Sequence, residues 1–328
     1  MLAATPITPW HWIAFIVFVL VVITADLGIF HRVARQVSLK EALAWTAFWV
    51  LLAGLFAFGL SVYRDTEQAL QFGTGYIVEL SLSMDNVFVI ALIFEYFRVP
   101  LLQQHRVLFW GILGALVMRG LMIGAGSALI AKFHWLLYAF GVFLVFTGFR
   151  MIFAREGGVE PEKNPTIRLA RRFFPISEAF SGQKFSIRLH GRLALTPLAL
   201  VLLMVETTDL VFAIDSLPAI FAVTQKPFII FTSNVFAILG LRSLYFVLAN
   251  AIGYFQYLKA GLSIILIFIG GKMLLPFFQD QFDLWDGFEL TNETSLKIVA
   301  AIIAVSVVAS LLAARLEKRR RAKIVGPN

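Results

Sequence analysis

Cysteine is absent from the 328-residue sequence, which removes disulfides, thiolate metal sites, cysteine-held iron–sulfur clusters and thiol redox chemistry by the chain itself. Charge is sparse as well. Asp, Glu, Lys and Arg make up 15% of the residues against 59% hydrophobic, and the mean hydropathy is +0.84. Histidine is limited to His11, His31, His105, His134 and His190, which fall in loops or near helix ends, where interfacial placement is the ordinary role, and which form no pair with metal-ligand spacing. There is no phosphate-binding glycine loop and no GxSxG nucleophile turn, so an enzyme is not expected.

Long apolar runs are what the sequence has in abundance. Windows of about 20 residues mark nine helices, near 10–30, 42–62, 72–95, 107–130, 134–154, 195–222, 228–248, 255–275 and 296–314, the pattern of an all-α, multi-pass membrane protein. The first run has no basic segment ahead of it and is basic behind it, as in an uncleaved helix rather than a signal peptide. The net charge of +8 follows from topology rather than from nucleic-acid binding. With the N-terminus outside, Arg32, Arg35, Lys40, Arg98, Arg106, the loop from Arg155 to Arg192 and the tail "RLEKRRRAK" all fall in the cytoplasm, while "YRDTEQ" and "QDQFDLWDGFELTNE" fall outside. The expected organisation is N-out, C-in: two helices in 1–71, three in 72–154, a basic cytoplasmic loop in 155–194, three helices in 195–275, an acidic outer loop in 276–295, and a last helix with a basic tail in 296–328. Within the cytoplasmic loop, "TIRLARRFFPISEAF" has the pattern of a short basic amphipathic helix on the membrane surface.

The run "VELSLSMDNVFVIALIF" (78–94) is apolar enough to span a bilayer, yet it holds Glu79, Asp85 and Asn86. A carboxylate near the bilayer centre costs about 2.5–3.5 kcal/mol on insertion scales, and such residues mark ion pathways or proton relays. The second half repeats the situation with Glu206, Asp209 and Asp215. "MDNVFVI" (84–90) aligns with "TDLVFAI" (208–214), pairing Asp85 with Asp209 at 209 − 85 = 124. Arg119 in "GALVMRGLM" pairs with Arg242 in "AILGLRSLY" at 242 − 119 = 123, and "LVFTGFRM" (144–151) with "LIFIGGKM" (266–273) at 272 − 150 = 122. Each half has three helices, an odd number, so the second is expected upside down relative to the first. Inverted repeats of this kind build secondary transporters whose substrate site lies near the midplane.

If pseudo-symmetry brings Asp85 level with Asp209, then Glu79 and Asp215 each lie six residues outward, about 9 Å at 1.5 Å per residue. Glu206 lies three residues inward, and Asp26, at the inner end of the first helix, joins that level. Glu79 and Asp85 are about 120° apart on a regular helix, so either several helices line the path or the helix is unwound there, and Pro218 marks an expected break in the sixth helix. Ser81, Ser83, Thr207, Thr208 and Ser216 offer neutral oxygens. Oxygen-only donors suit hard divalent cations such as Mn²⁺, Mg²⁺ or Ca²⁺. Arg119 and Arg242, near mid-helix, are candidate counter-charges or gates, or structural partners of the acids.

"ELSLSMDNVFVIALIF" (79–94), "VETTDLVFAIDSLPAIFA" (205–222) and "LRSLYF" (241–246) resemble the signature segments of the TerC family of integral membrane proteins, and the nine-helix length is most similar to its Alx-type members. The family is named for tellurium resistance, includes proteins labelled membrane-bound redox modulators, and is associated with Mn²⁺ export within a LysE-like transporter group. The resemblance implies a manganese exporter of the cell membrane, the inner membrane in a Gram-negative cell, with ion-handling residues at Glu79, Asp85, Asn86, Glu206, Asp209 and Asp215. Its implied partners are a divalent metal ion and protons; no resident cofactor is expected. Alternatives are a transporter of Ca²⁺ or another divalent cation, or a redox or stress-response membrane protein.

Overall fold

The bilayer core offers no water to a backbone N–H or C=O, so a crossing segment must close its own hydrogen bonds. The computed structural model describes residues 7–25, 38–153, 164–189, 191–249, 257–282 and 290–324; the side chain of Asp85 is outside this set. Helices start where the sequence supplies a cap. Ser38 Oγ accepts from the Glu41 N–H to open α2 (Leu39–Tyr63), and Asp65 accepts from the Gln68 N–H at 2.6 Å to open α3 (Thr66–Tyr96). Asn164 caps α6 (Pro165–Phe173) and Thr196 caps α7 (Pro197–Val223), each followed by proline at the first helical position. The other helices are α1 (Pro9–Ala25), α4 (Leu101–Lys132), α5 (Leu136–Phe153), α8 (Pro227–Ala249), α9 (Leu258–Phe282) and α10 (Asn292–Ile324).

Eight of them, α2 to α5 and α7 to α10, are long and apolar enough to cross a membrane, while α1 is apolar but has 17 residues. Their outer faces carry exposed apolar side chains such as Leu51, Phe58, Leu121, Phe146 and Val305, the surface that lipid requires. The chain is a multi-pass integral membrane protein.

One expectation, a break in α7 at Pro218, is corrected, and the connecting loop gains detail. The connecting loop is not wholly without strand: β1 (Ser186–Leu189) and β2 (Arg192–Leu195) form an antiparallel hairpin whose turn uses Gly191 at φ +80°. The amphipathic segment does form a helix, α6, which packs on α7 while Leu169 and Phe173 stay exposed. Ile167 and Ala170 are buried, Thr166 Oγ1 lies 3.0 Å from Thr207 Oγ1 of α7, and Arg168, Arg171 and Arg172 stay exposed. Finally, α3 is continuous through Asp85 and α7 through Pro218. A proline removes one backbone bond and crowds the preceding turn; buried in packed surroundings, Pro218 does not interrupt the helix.

At the centre stands α8, enclosed on almost every side. It packs on α2, α3 and α4; α3 and α4 also pack on α7, and α5 packs on α9 and α7. Exchanging α3, α4 and α5 for α7, α8 and α9 maps these contacts between the halves onto one another, with α3 against α9 as the mate of α5 against α7. The closest approach repeats the pattern at single-residue detail. A Cβ at Gly148 would meet the Ser263 carbonyl at 2.8 Å, and one at Gly270 would meet the Gly141 carbonyl at 2.7 Å. Since 270 − 148 = 122 and 263 − 141 = 122, the two contacts are mates under the α5 to α9 offset. Only glycine lets the two backbones come this near.

Candidate functional site

Arg119 of α4 is 2% exposed in the interior, where an unpaired guanidinium would be very costly. Its Nη1 donates to Glu79 Oε1 of α3, its Nη2 to Asp209 Oδ1 of α7 at 3.2 Å, and its Nε to Asp209 Oδ2 at 3.5 Å. Ser216 Oγ, also on α7, accepts from Nη1 at 3.4 Å. One arginine therefore joins a carboxylate of the first half to one of the second. The compensation is incomplete on one side: Glu79 is fully buried, and its Oε2 has no hydrogen-bond partner among the described residues. A buried acceptor left over at a charged junction is a free position for a proton or a cation.

Glu206 lies three residues before Asp209 and on the same side of α7. Its carboxylate rests against Gly114 of α4, where a Cβ would overlap it. Glycine at 114 thus creates the seat that Glu206 occupies. Asp215 is not part of this group. Six positions on a continuous helix rotate it about 120° from Asp209. Glu79 is joined to Asp209 through Arg119.

Among the other expected donors, Asn86 and Ser83 are buried. Ser81, Thr207 and Thr208 donate their hydroxyls to the carbonyls of Ile77, Leu203 and Met204, each at 2.7 Å, which leaves their oxygen lone pairs as acceptors. Asp26 and the side chain of Asp85 lie outside the described residues. Among the described residues, no three His, Asp or Glu side chains converge closely enough to hold a metal ion; Glu79 of α3 and Asp209 of α7 meet at Arg119.

Two features are missing from the sequence-based site. His105 of α4 places Nδ1 3.0 Å from Arg242 Nη2 and sets its ring 4.7 Å from that of Phe246. It is a partner of the second arginine. The available signal is its spacing of 14 from Arg119, which puts both on nearly one face of α4. The second is a polar cluster at the far ends of α3, α7, α9 and α10. Lys272 donates to Asn292 Oδ1 at 3.0 Å and to Ser295 Oγ at 2.9 Å, Glu67 accepts from Asn292 and from Gln71 Nε2, and Gln71 Oε1 accepts from Thr224 at 2.8 Å.

Carboxylates from two similar sets of helices, meeting on a buried arginine inside a multi-pass bundle, define an integral membrane protein with a charged intramembrane site. Residues 64–322 match the model of the integral membrane protein TerC family, and the chain belongs to that family. It is 49% identical over 308 residues to an uncharacterised membrane protein of Myxococcus xanthus, covering 94% of each chain. It is 44% identical over 308 residues to the "Putative membrane-bound redox modulator Alx" of Escherichia coli K12, covering 91% of this chain and 93% of that one. A protein of the same name from Salmonella typhi is 44% identical over 310 residues. No solved structure matches.

Proposed function

We propose that this TerC-family chain is a secondary transporter that exports Mn²⁺ from the cytoplasm in exchange for protons. Its path runs between the two halves, is lined by Glu79, Asp85, Asn86, Glu206, Asp209 and Asp215 with Asp26 at its inner end, and lies in a membrane orientation with the N-terminus outside. The observation that carries this reading is the position of Arg119 between Glu79 and Asp209. Two carboxylates from opposite halves, only half compensated by one tethered cation, form a place that a divalent ion can take over when the guanidinium withdraws. Arg119 then acts as the internal counter-ion of the empty site, lowering the cost of keeping two ionised acids in a low dielectric. The donors are oxygen only, which favours Mn²⁺ or another hard divalent ion over zinc or copper.

The E. coli and Salmonella relatives carry a redox name. A thiol mechanism has no cysteine to use in this sequence, so metal transport accounts better for the intramembrane acids. Purified protein in liposomes loaded with Mn²⁺ tests the proposal. Efflux should accelerate when the outside is made acidic relative to the lumen, with protons moving inward. Protons and Mn²⁺ compete for the same oxygens, so the apparent Mn²⁺ affinity should weaken as pH falls. Asp85→Asn and Asp209→Asn should each abolish the flux while leaving the protein inserted and folded. Flux indifferent to pH and to both substitutions would overturn the proposal, and Ca²⁺ flux without Mn²⁺ flux would redirect it to a different ion.

A further inference from the structure

We infer that the crevice between α1, α2 and the start of α8 is a binding site for an anionic glycerophospholipid. The crevice has a volume of about 730 Å³, within the range of roughly 300–1,000 Å³ typical of ligand pockets. Its walls are apolar, formed by Phe15, Phe18, Leu55, Phe56, Leu60 and Phe228. The polar residues of its lining gather at one end: His11 in the first turn of α1, Tyr63 at the last residue of α2, and Arg64 just after it. Pro227, where α8 begins, precedes Phe228. All three helix ends thus open on the same side of the bundle, and the apolar walls run about two helical turns inward, roughly 10 Å.

The chemistry of that end selects the ligand. Arg64 Nη1 is shut off from solvent and has no hydrogen-bond partner among the described residues. The acid next to it, Asp65, is engaged elsewhere, accepting from the Gln68 N–H at 2.6 Å and from Gln68 Nε2 at 2.5 Å. His11 adds a second donor. The Thr8 N–H donates to its Nδ1 at 3.1 Å, so the neutral ring carries its proton on Nε2. The Tyr63 hydroxyl, on a residue 82% exposed at the rim, supplies a third. A guanidinium and two neutral donors, with an apolar trough below them, fit a phosphate with acyl chains attached. Free phosphate would satisfy the donors but leave the trough empty.

Native mass spectrometry of the detergent-purified full chain, titrated with phosphatidylglycerol and with phosphatidylcholine of the same acyl chains, tests the site. Wild type should favour phosphatidylglycerol by roughly tenfold, the scale of one charge-assisted hydrogen bond. Arg64→Gln should lose the preference and Arg64→Lys should keep part of it. Gly59 also lines the crevice, and a Cβ there meets nothing within 4 Å. Gly59→Leu should therefore fold normally, fill the trough and lose lipid binding with Arg64 intact, which decides the matter if Arg64→Gln fails to fold. Equal binding of the two lipids by wild type, unchanged phosphatidylglycerol binding in Gly59→Leu or in folded Arg64→Gln, or full competition by glycerol phosphate would each overturn the lipid assignment.

Discussion

Arg119 and Arg242 occupy matching places in the two halves, 242 − 119 = 123 residues apart, yet they keep different company. Arg119 is joined to Glu79 and Asp209, whereas Arg242 has an imidazole, His105, beside it. Applying the α3 to α7 offset of 124 shows why. Asp209 has its mate in Asp85, but the position equivalent to Glu79 in the second half is Leu203, and the position equivalent to His105, taken with the α4 to α8 offset of 123, is Phe228. The duplicated frame keeps an aspartate, an arginine and a further cation, Arg150 or Lys272, in each half, while Glu79 and His105 have no polar mate.

The largest effect that can break this comparison is on stability. Arg119→Met leaves Glu79 buried without a partner and should cost roughly 3–5 kcal/mol, the usual penalty for half of a buried ion pair. Adding Glu79→Gln and Asp209→Asn should restore most of it, measured by thermal unfolding in detergent. A loss that persists undiminished in the triple variant would mean that these charges do not act as one set.

A smaller effect sharpens the comparison at α4. Gly114→Ala puts a Cβ where the Glu206 carboxylate rests and should destabilise by about 1–3 kcal/mol through overpacking, while reducing Mn²⁺ flux by displacing Glu206. The mate of Gly114 on α8 is Ala237, already carrying a Cβ, so this seat belongs to one half alone. Normal flux in Gly114→Ala would remove Glu206 from the path.

The smallest effect concerns the caps of the two equivalent entry helices, Asp65 on α3 and Thr196 on α7. Replacing either by alanine should cost about 1 kcal/mol, but only one of the two should depend on pH. Burial alone would raise the Asp65 pKa, yet the bonds from Gln68 and the charges of Lys226 and Arg64 outweigh it and hold the carboxyl below its usual value. A depressed native pKa means that the contribution is complete at neutral pH and fades as pH falls below the ordinary aspartate range toward the native value. Asp65→Ala should therefore converge with wild type in strong acid, and Thr196→Ala should keep a constant difference from it.

Much of this protein is legible along the chain because the bilayer reads sequence almost additively: a length of apolar residues suffices for a span. The spans, the matched offsets, the two arginines and the intramembrane acids all follow from local composition and spacing. Helix ends were less legible, since α9 continues through Pro276 to Phe282 and α3 begins six residues before its apolar window; capping and tertiary support carry helices past their hydrophobic cores.

Azimuth and partnership were decided by the tertiary structure. The sequence of α6 does not say which of its apolar side chains pack on protein; docking on α7 buries Ile167 and Ala170 and leaves Leu169 and Phe173 exposed. The sequence separates Asp209 and Asp215 by six residues without saying which helix each will face; a continuous α7 turns Asp209 to Arg119 and carries Asp215 about 120° around the helix from it. His105 and Gly114 owe their importance to atoms on other helices, Arg242 on α8 and Glu206 on α7. A single chain position encodes how polar a residue is and how deep it lies, but the direction of its side chain and the group that it meets arise only when the helices pack.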